Sequence, residues 1–539
     1  MSGIGRRAAL HAGLAAAVAG LLVDCGRPAA LDPQTLAGGW VGASADRGHR
    51  LRNLRSGALP APAVQRRADV LIVGAGIAGL AAARALMRAG IDDVHLLELE
   101  DAAGGNSRGH TMAGMRCPLG AHYLPVPGAD DHEVSELLFD LGLLRLQAGR
   151  VVPDELHLCH SPQERLFIDG RWVDGFLPPA PGSATLAQYR RFAALMAQVQ
   201  REVGFGLPTR RVAWTPAHAA LDDQTFAHWL DAQGLSDARL RWYLDYCCRD
   251  DYGAGADVVS AWAGLHYFGS RHGFHAPGDT TDVAEPVFTW PEGNAWLAER
   301  MAAPLGERLH TARIALRATE GRHDVSLLAW DARAQRAEAW TARALVLATP
   351  LFVAARLLDA PPAALAEAAR LQPHAPWLVA NLQIDAPLVD RLVGAPLSWD
   401  NMPYAADPRS LGYVDAMHQS TRPYAGATVL SAYWRLPVGE RRDLLALDWR
   451  AWTQRVVDGL APLHPDLSTK LRRADLMRYG HAMSIPVPGL RGSTALHALG
   501  QASGRVQFAH SDLSAYSVFE EAYTWGIEVG ARVAAGLRR

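Results

Sequence analysis

An α/β fold built on a parallel sheet, interrupted by an inserted α+β domain, is predicted by three observations. The short β-branched run Ala68–Val73 passes directly into Gly74-Ala75-Gly76-Ile77-Ala78-Gly79, then into a helix-forming stretch and a second apolar run that ends in Glu98. Apolar strands return far along the chain, at Ala342–Pro350 and Val506–Asp512. The blocks between them, about 130–285 and 351–479, read as helical and as mixed helix and strand. Parallel strands need crossover connections, so this order describes one sheet domain assembled from distant segments around another domain.

The totals bound the alternatives. With 539 residues, 49% hydrophobic, 20% charged and a net charge of −2, the chain is neither disordered nor collagen-like nor a polytopic membrane protein. Its length calls for two or more domains. A balance of 53 basic against 55 acidic side chains gives no electrostatic reason to expect a nucleic-acid partner. Lys470 is the only lysine, all other basic side chains being arginine, so chemistry that needs a lysine has one candidate.

At the N-terminus, Gly5-Arg6-Arg7-Ala8-Ala9-Leu10 precedes the apolar run Ala12–Val23, which is short and Ala-rich for a membrane span. The arrangement resembles a twin-arginine export signal over residues 1–35, which implies the twin-arginine export machinery as a partner and a periplasmic or exported location. Cys25, directly after the apolar run, suggests lipidation and membrane association, although Asp24 stands where such boxes carry a small residue. Residues 36–67, rich in Ala, Gly, Pro and Arg without clear period, read as a linker. The five cysteines show neither CxxC nor Cys/His metal spacing, and Cys247-Cys248 reads as a buried pair of small residues.

Each part of the glycine-rich unit has a mechanical role. Gly74 permits a tight turn, Gly76 admits a pyrophosphate close to the backbone, and Gly79 allows close helix–strand packing, with Ala78 beside it. The helix over Leu80–Ala89, ended by Gly90, offers amides and the positive end of its dipole to phosphates. Glu98 closes the second strand, Val94–Leu97, where a carboxylate accepts hydrogen bonds from an adenosine ribose. Strand, glycines, helix, strand and acid in register specify a dinucleotide site of Rossmann type.

The next residues select the dinucleotide. Gly104-Gly105, followed by Asn106-Ser107-Arg108, resembles the FAD fingerprint of the flavin amine oxidase, phytoene desaturase and protoporphyrinogen oxidase superfamily. The family's usual Arg is replaced by Asn106, with Arg108 two residues on. The resemblance implies a GR2-type FAD-binding domain with non-covalent FAD. It also implies that the strand Glu307–Ile314 meets the adenine through Ile314, and that Asp512 reaches the flavin's ribityl chain or phosphates. The terminal helix then follows through Glu520, Glu521 and Gly526, with Glu521 in place of a customary glycine. No cysteine follows Cys248, which argues against covalent flavin attachment.

The second domain is expected to contain helices at Glu133–Leu144, Ala187–Val203, Ala363–Leu371 and Arg450–Leu460, and strands at Trp377–Ile384 and Ala427–Trp434. FAD-domain segments are then 68–129, 286–350 and 480–539, with the substrate domain at 130–285 and 351–479.

For the chemistry, Pro118-Leu119-Gly120-Ala121-His122-Tyr123 is similar to the family segment that nears the flavin ring, with Gly120 at the cofactor and His122 at the substrate entrance as in polyamine oxidases. An imidazole there hydrogen-bonds a substrate amine or takes its proton. The family's aromatic cage points to Tyr516 as the nearest ring before the terminal helix, and Asp245, Asp250 and Asp251 are candidate partners for a cationic substrate. Many family oxidases carry a lysine near the flavin; Lys470 lies in a polar segment away from that region, and Arg cannot replace it. These readings converge on an exported FAD-dependent oxidoreductase that removes a hydride from a small-molecule amine, including polyamines. Isoprenoid or porphyrinogen desaturation, and a non-catalytic binding module, remain the alternatives. A carboxylate-lined aromatic pocket separates amines from lipids.

Overall fold

The computed structural model describes residues 35–54, 59–128, 130–278, 286–389, 394–422 and 425–538. The twin-arginine run and Cys25 lie outside the described residues. The first elements are β1 (Ala37–Trp40), α1 (Ala45–Leu54), β2 (Pro62–Val73), α2 (Ile77–Arg88) and β3 (Val94–Leu97).

A seven-stranded sheet forms the first layer. β2 lies between β3 and β4 (Arg336–Leu347), parallel to both, with Val70 opposite Val94 on one side and Ala344 on the other. Val506–Phe508 adds in parallel on β4, and the antiparallel strands Val325–Asp331 and Arg313–Glu320 extend the sheet beyond it. Val70, Leu71, Ile72 and Val73 are all buried, as a strand covered on both faces requires. The strand expected over Glu307–Ile314 is broken at Ala312, whose φ is +55°, into Leu309–His310 beside β3 and a strand that turns away from Arg313.

The second layer is an eight-stranded sheet. Its centre is β5 (His374–Ile384), flanked by the antiparallel strands β6 (Thr428–Arg435) and β7 (Leu471–Ser484), with Ala380 opposite both Ala432 and Leu476. The helix Trp449–Leu460 packs Trp452 and Val456 on one face with Leu378, Leu382 and Trp434. On the other face, Trp377, Tyr433 and Met477 meet an aromatic core contributed by the helices Ser183–Glu202, Ala238–Tyr252 and Ala261–Tyr267. The helix expected at Ala363–Leu371 has those bounds, whereas that expected to reach Leu144 ends at Asp140 and Leu144 opens a hairpin instead. β7 runs past residue 480 to Ser484, so the second sheet overruns the expected domain boundary.

The described parts of the segment expected to be a linker, 36–54 and 59–67, are structured. Residues 62–67 extend β2 against Ala337–Thr341, and β1 and α1 precede them. Their partners, such as Ala474 for Gly38, lie hundreds of residues away, and their burial is too irregular for a local pattern to reveal. The C-terminal helix α3 (Phe519–Leu537) crosses α2 on small residues: a Cβ on Gly526 would lie 2.2 Å from Ala78 O, and one on Gly530 would lie 2.6 Å from Ala82 O. Cys117, Cys159, Cys247 and Cys248 are free thiols, so the adjacent pair is not bridged.

Candidate cofactor and substrate site

A cavity of about 940 Å³ runs along the carboxyl ends of β2, β3 and β4 and reaches the second sheet. The glycine motif shapes its floor. Gly74 turns with φ +100°, and a Cβ there would lie 2.4 Å from Ala348 O. Gly79 packs against that turn, its would-be Cβ 1.9 Å from Gly74 O, while Gly76 and Ala78 face the cavity. Gly104 and Gly105, at φ +120° and +56°, and Ser107 form the opposite lip. α2 therefore presents its first-turn amides to the cavity, as an anion requires.

The buried Glu98 carboxylate accepts hydrogen bonds from Ala75 N (2.8 Å) and Glu100 N (2.9 Å), which aims its remaining lone pairs at the cavity. Ile314 lines the wall. Asp512 also faces the cavity, but its oxygens are already committed to Leu351 N (3.0 Å) and His374 Nε2 (3.1 Å). Burial pushes this carboxyl up, yet His510 and His374 hold it well below the usual range. Two expected cofactor residues act from behind the wall instead. Arg108 donates to Gly105 O and to Gly42 O, both at 3.0 Å, and Gly120 is packed so closely that a Cβ would lie 2.2 Å from Asn106 O.

The residues present fit a dinucleotide. Thr349 Oγ1 and Gln372 Oε1, on the cavity wall, are buried without a hydrogen-bond partner. Arg356, Arg441 and Arg478, with His49 and His481, line another part of the cavity, and none has a carboxylate within ion-pair distance among the described residues. Burial, then Arg441, His374, Arg356 and His49, lowers His481 to about 3. The three arginines, which carry the charge of this wall, favour an anionic ligand.

Beyond Ala121 the chain enters the second domain's aromatic core. The carbonyls of Pro118, Leu119 and Gly120 accept hydrogen bonds from Asn381 Nδ2 (2.9 Å), Tyr479 OH (2.9 Å) and Tyr433 OH (3.0 Å), one from each central strand β5, β7 and β6. This clamp delivers His122 to a ring cluster of Tyr433 (centroids 4.5 Å apart), Tyr123 (5.2 Å) and Trp399 (5.4 Å). Burial lowers His122 to about 4, keeping the imidazole neutral at neutral pH. Tyr516 is not part of this cluster. It is fully buried between Tyr252 and His266, and its hydroxyl is bound to Asp251 and Arg271.

The carboxylates divide sharply. Asp245 pairs with Arg249 at 2.8 Å, and Asp251 pairs with Arg271 at 3.2 Å, which also faces Glu520 at 3.5 Å. Asp250, Glu164 and Asp400 have no ion pair among the described residues. They are surrounded by protein yet keep partial exposure. Burial raises Asp250 and Glu164 each to about 7, and burial, then Asp250 and Glu164, raises Asp400 well above the usual carboxylate range. Asp400 and Asp250 both act on Tyr433, the ring stacked on His122. Of this cluster the sequence identifies His122, Tyr123 and Asp250. Tyr433, Trp399, Glu164 and Asp400 come from remote strands and turns that carry no local motif.

A dinucleotide cavity whose wall at Ala121 leads into a buried aromatic and acidic cluster is the arrangement of a cofactor-dependent oxidoreductase. The chain belongs to the flavin-containing amine oxidoreductase family, whose profile it matches over residues 77–534, and FAD is the cofactor of the cavity. It is similar to putrescine oxidase of Kocuria rosea, 32% identical over 163 residues, 30% of this chain and 30% of that protein. Polyamine oxidase 1 of Oryza sativa subsp. japonica is 39% identical over 94 residues, 17% of this chain and 18% of that one. These matches span less than a third of either relative. Among solved structures, cyclohexylamine oxidase from Brevibacterium oxydans superposes with a TM-score of 0.66 at 20% identity, covering 88% of this chain and 100% of that one. Putrescine oxidase bound to putrescine superposes with a TM-score of 0.64 at 19% identity, covering 87% and 100%. At these identities the likeness is one of fold.

Proposed function

We propose that this protein oxidises a small aliphatic amine, preferring a diamine or polyamine, by removing a hydride from the carbon bonded to nitrogen. The observation that carries this reading is the set Glu164, Asp250 and Asp400, without ion pairs among the described residues, beside the rings around His122. Such a set disfavours an apolar lipid, because carboxylates surrounded by protein without ion-pair partners are costly to leave unmet. A substrate with more than one ammonium group supplies those partners. The neutral His122 accepts a hydrogen bond from the substrate nitrogen, and a carboxylate near neutral pKa takes the proton that must leave before hydride transfer. Bound FAD supplies the hydride acceptor.

The twin-arginine run supports export of the folded, FAD-loaded protein to the periplasm, with Cys25 as a lipid anchor. The test of the catalytic reading is anaerobic mixing with putrescine, spermidine, monoamines, amino acids and isoprenoids, followed by admission of air. Bleaching of the flavin spectrum by di- and polyamines is expected; bleaching by none of the amines overturns the reading.

A further inference from the structure

Residues 37–54 lie outside the family match, yet they close the cofactor cavity. β1 adds in parallel to the edge of the second sheet, with Ala37 opposite Arg473 and Trp40 opposite Leu476. Gly38 fits so tightly that a Cβ would lie 1.9 Å from Ala474 O. Val41 N then donates to Leu476 O (2.9 Å), and Arg108 holds Gly42 O (3.0 Å). From this anchor α1 crosses the cavity. Ser44 N donates to the Glu100 carboxylate at 3.0 and 3.1 Å, Arg47 reaches Asp101 at 3.1 Å, and Leu51 packs on the core of the first sheet. Ser44, Arg47, Gly48 and Leu51 are part of the cavity wall, as Gly76 and Glu98 are.

α1 also brings charge. His49 and Arg52 line the same cavity as Arg356, Arg441 and Arg478; burial, then Arg52 and Arg478, lowers His49 against Asp46, so Arg52 and Arg478 act on the same place from the two sides. Asp46, on the same helix, offsets only part of this positive field. We infer that residues 37–54 form a clasp that FAD itself holds shut: the cofactor's negative charge would offset the positive field that Arg52 and Arg478 share, and the docked helix blocks the cofactor's exit. Closure and cofactor binding are then linked, each favouring the other to the same extent. The inference rests on FAD in the cavity and is independent of the substrate.

Hydrogen exchange on the full chain tests it, with the apoprotein, the FAD-loaded protein, and the apoprotein with ADP or adenosine. Amides of 45–54 are expected to exchange about tenfold more slowly with FAD or ADP and to change little with adenosine, while those of Trp449–Leu460 stay unchanged. Equal exchange at 45–54 with and without FAD overturns the clasp; equal protection by adenosine overturns the role of the phosphates. In the double variant R47A/L51A, release of FAD, followed by its fluorescence, is expected to quicken about tenfold while the circular-dichroism melt of the apoprotein is retained. An unchanged release rate also overturns the clasp.

Discussion

His122 stacks on Tyr433, with ring centroids 4.5 Å apart and planes inclined by 30°, and the same tyrosine donates its hydroxyl to Gly120 O at 3.0 Å. One side chain therefore fixes both the backbone that leads to the histidine and the ring itself. Tyr433→Phe keeps the stack and loses the hydrogen bond, worth about 1 kcal/mol. The expected outcome is a several-fold loss in kcat/KM with a melting temperature only slightly lowered, measured by steady-state amine oxidation and thermal unfolding.

Asp250 predicts the pH dependence of substrate capture. Burial, then Asp251, raises its pKa to about 7, so it is neutral below that pH and anionic above it. A cationic amine binds the anion better, so kcat/KM is expected to rise as pH rises through about 7. Glu164 titrates in the same range and interacts with Asp250, so the limb belongs to the pair. Asp250→Asn should lower kcat/KM and flatten that limb, as read from pH profiles with a diamine.

The same core sets an acid limit to stability. Burial lowers His266 from 6.5 to about 3, while its Nε2 bonds to Gly206 O at 3.1 Å. The unfolded chain protonates this group below pH 6.5 and the folded chain does not, so folded stability is lost as pH falls from 6.5 towards 3. The slope approaches about 1.4 kcal/mol per pH unit for each such histidine. His266→Gln is expected to lose stability at pH 7 but to show a shallower decline towards pH 5, measured by urea unfolding at both values.

The glycine unit was legible because its constraints are local. Gly74, Gly79 and Glu98 act within one strand–turn–helix–strand unit: Gly79 packs on Gly74 O and Glu98 holds Ala75 N, although Gly74 also meets the distant Ala348. The acidic cluster was not legible, because Glu164 and Asp400 become neighbours only when two short strands pair in parallel across more than two hundred residues. Tyr516 shows the limit of position alone. It sits where a cage ring is expected, but Asp251 and Arg271 claim its hydroxyl, and it meets the His122 cluster only through Arg271, which lies over the Tyr123 ring at 5.6 Å. The segment 37–54 looked featureless because α1 docks through Ser44, Arg47 and Leu51 on distant residues rather than through a continuous apolar stripe.

Lys470 provides the test of electron transfer out of the flavin. Its Nζ lies 2.6 Å from Asp466 Oδ2 and bonds to Pro387 O, at the start of β7, and it is absent from the cavity wall. A partly exposed pair of this kind contributes less than about 1 kcal/mol. Lys470→Gln is therefore expected to leave the rate of flavin reoxidation by air within about twofold of the parent, by stopped-flow absorbance, and to lower stability by under about 1 kcal/mol. With no second lysine in the chain, fast reoxidation that survives this substitution means that oxygen is reduced without lysine assistance. Slow reoxidation in both proteins, with rapid turnover on an artificial dye, instead identifies a dehydrogenase whose acceptor is not oxygen. A tenfold drop in the variant alone would place Lys470 in flavin chemistry, contrary to its geometry.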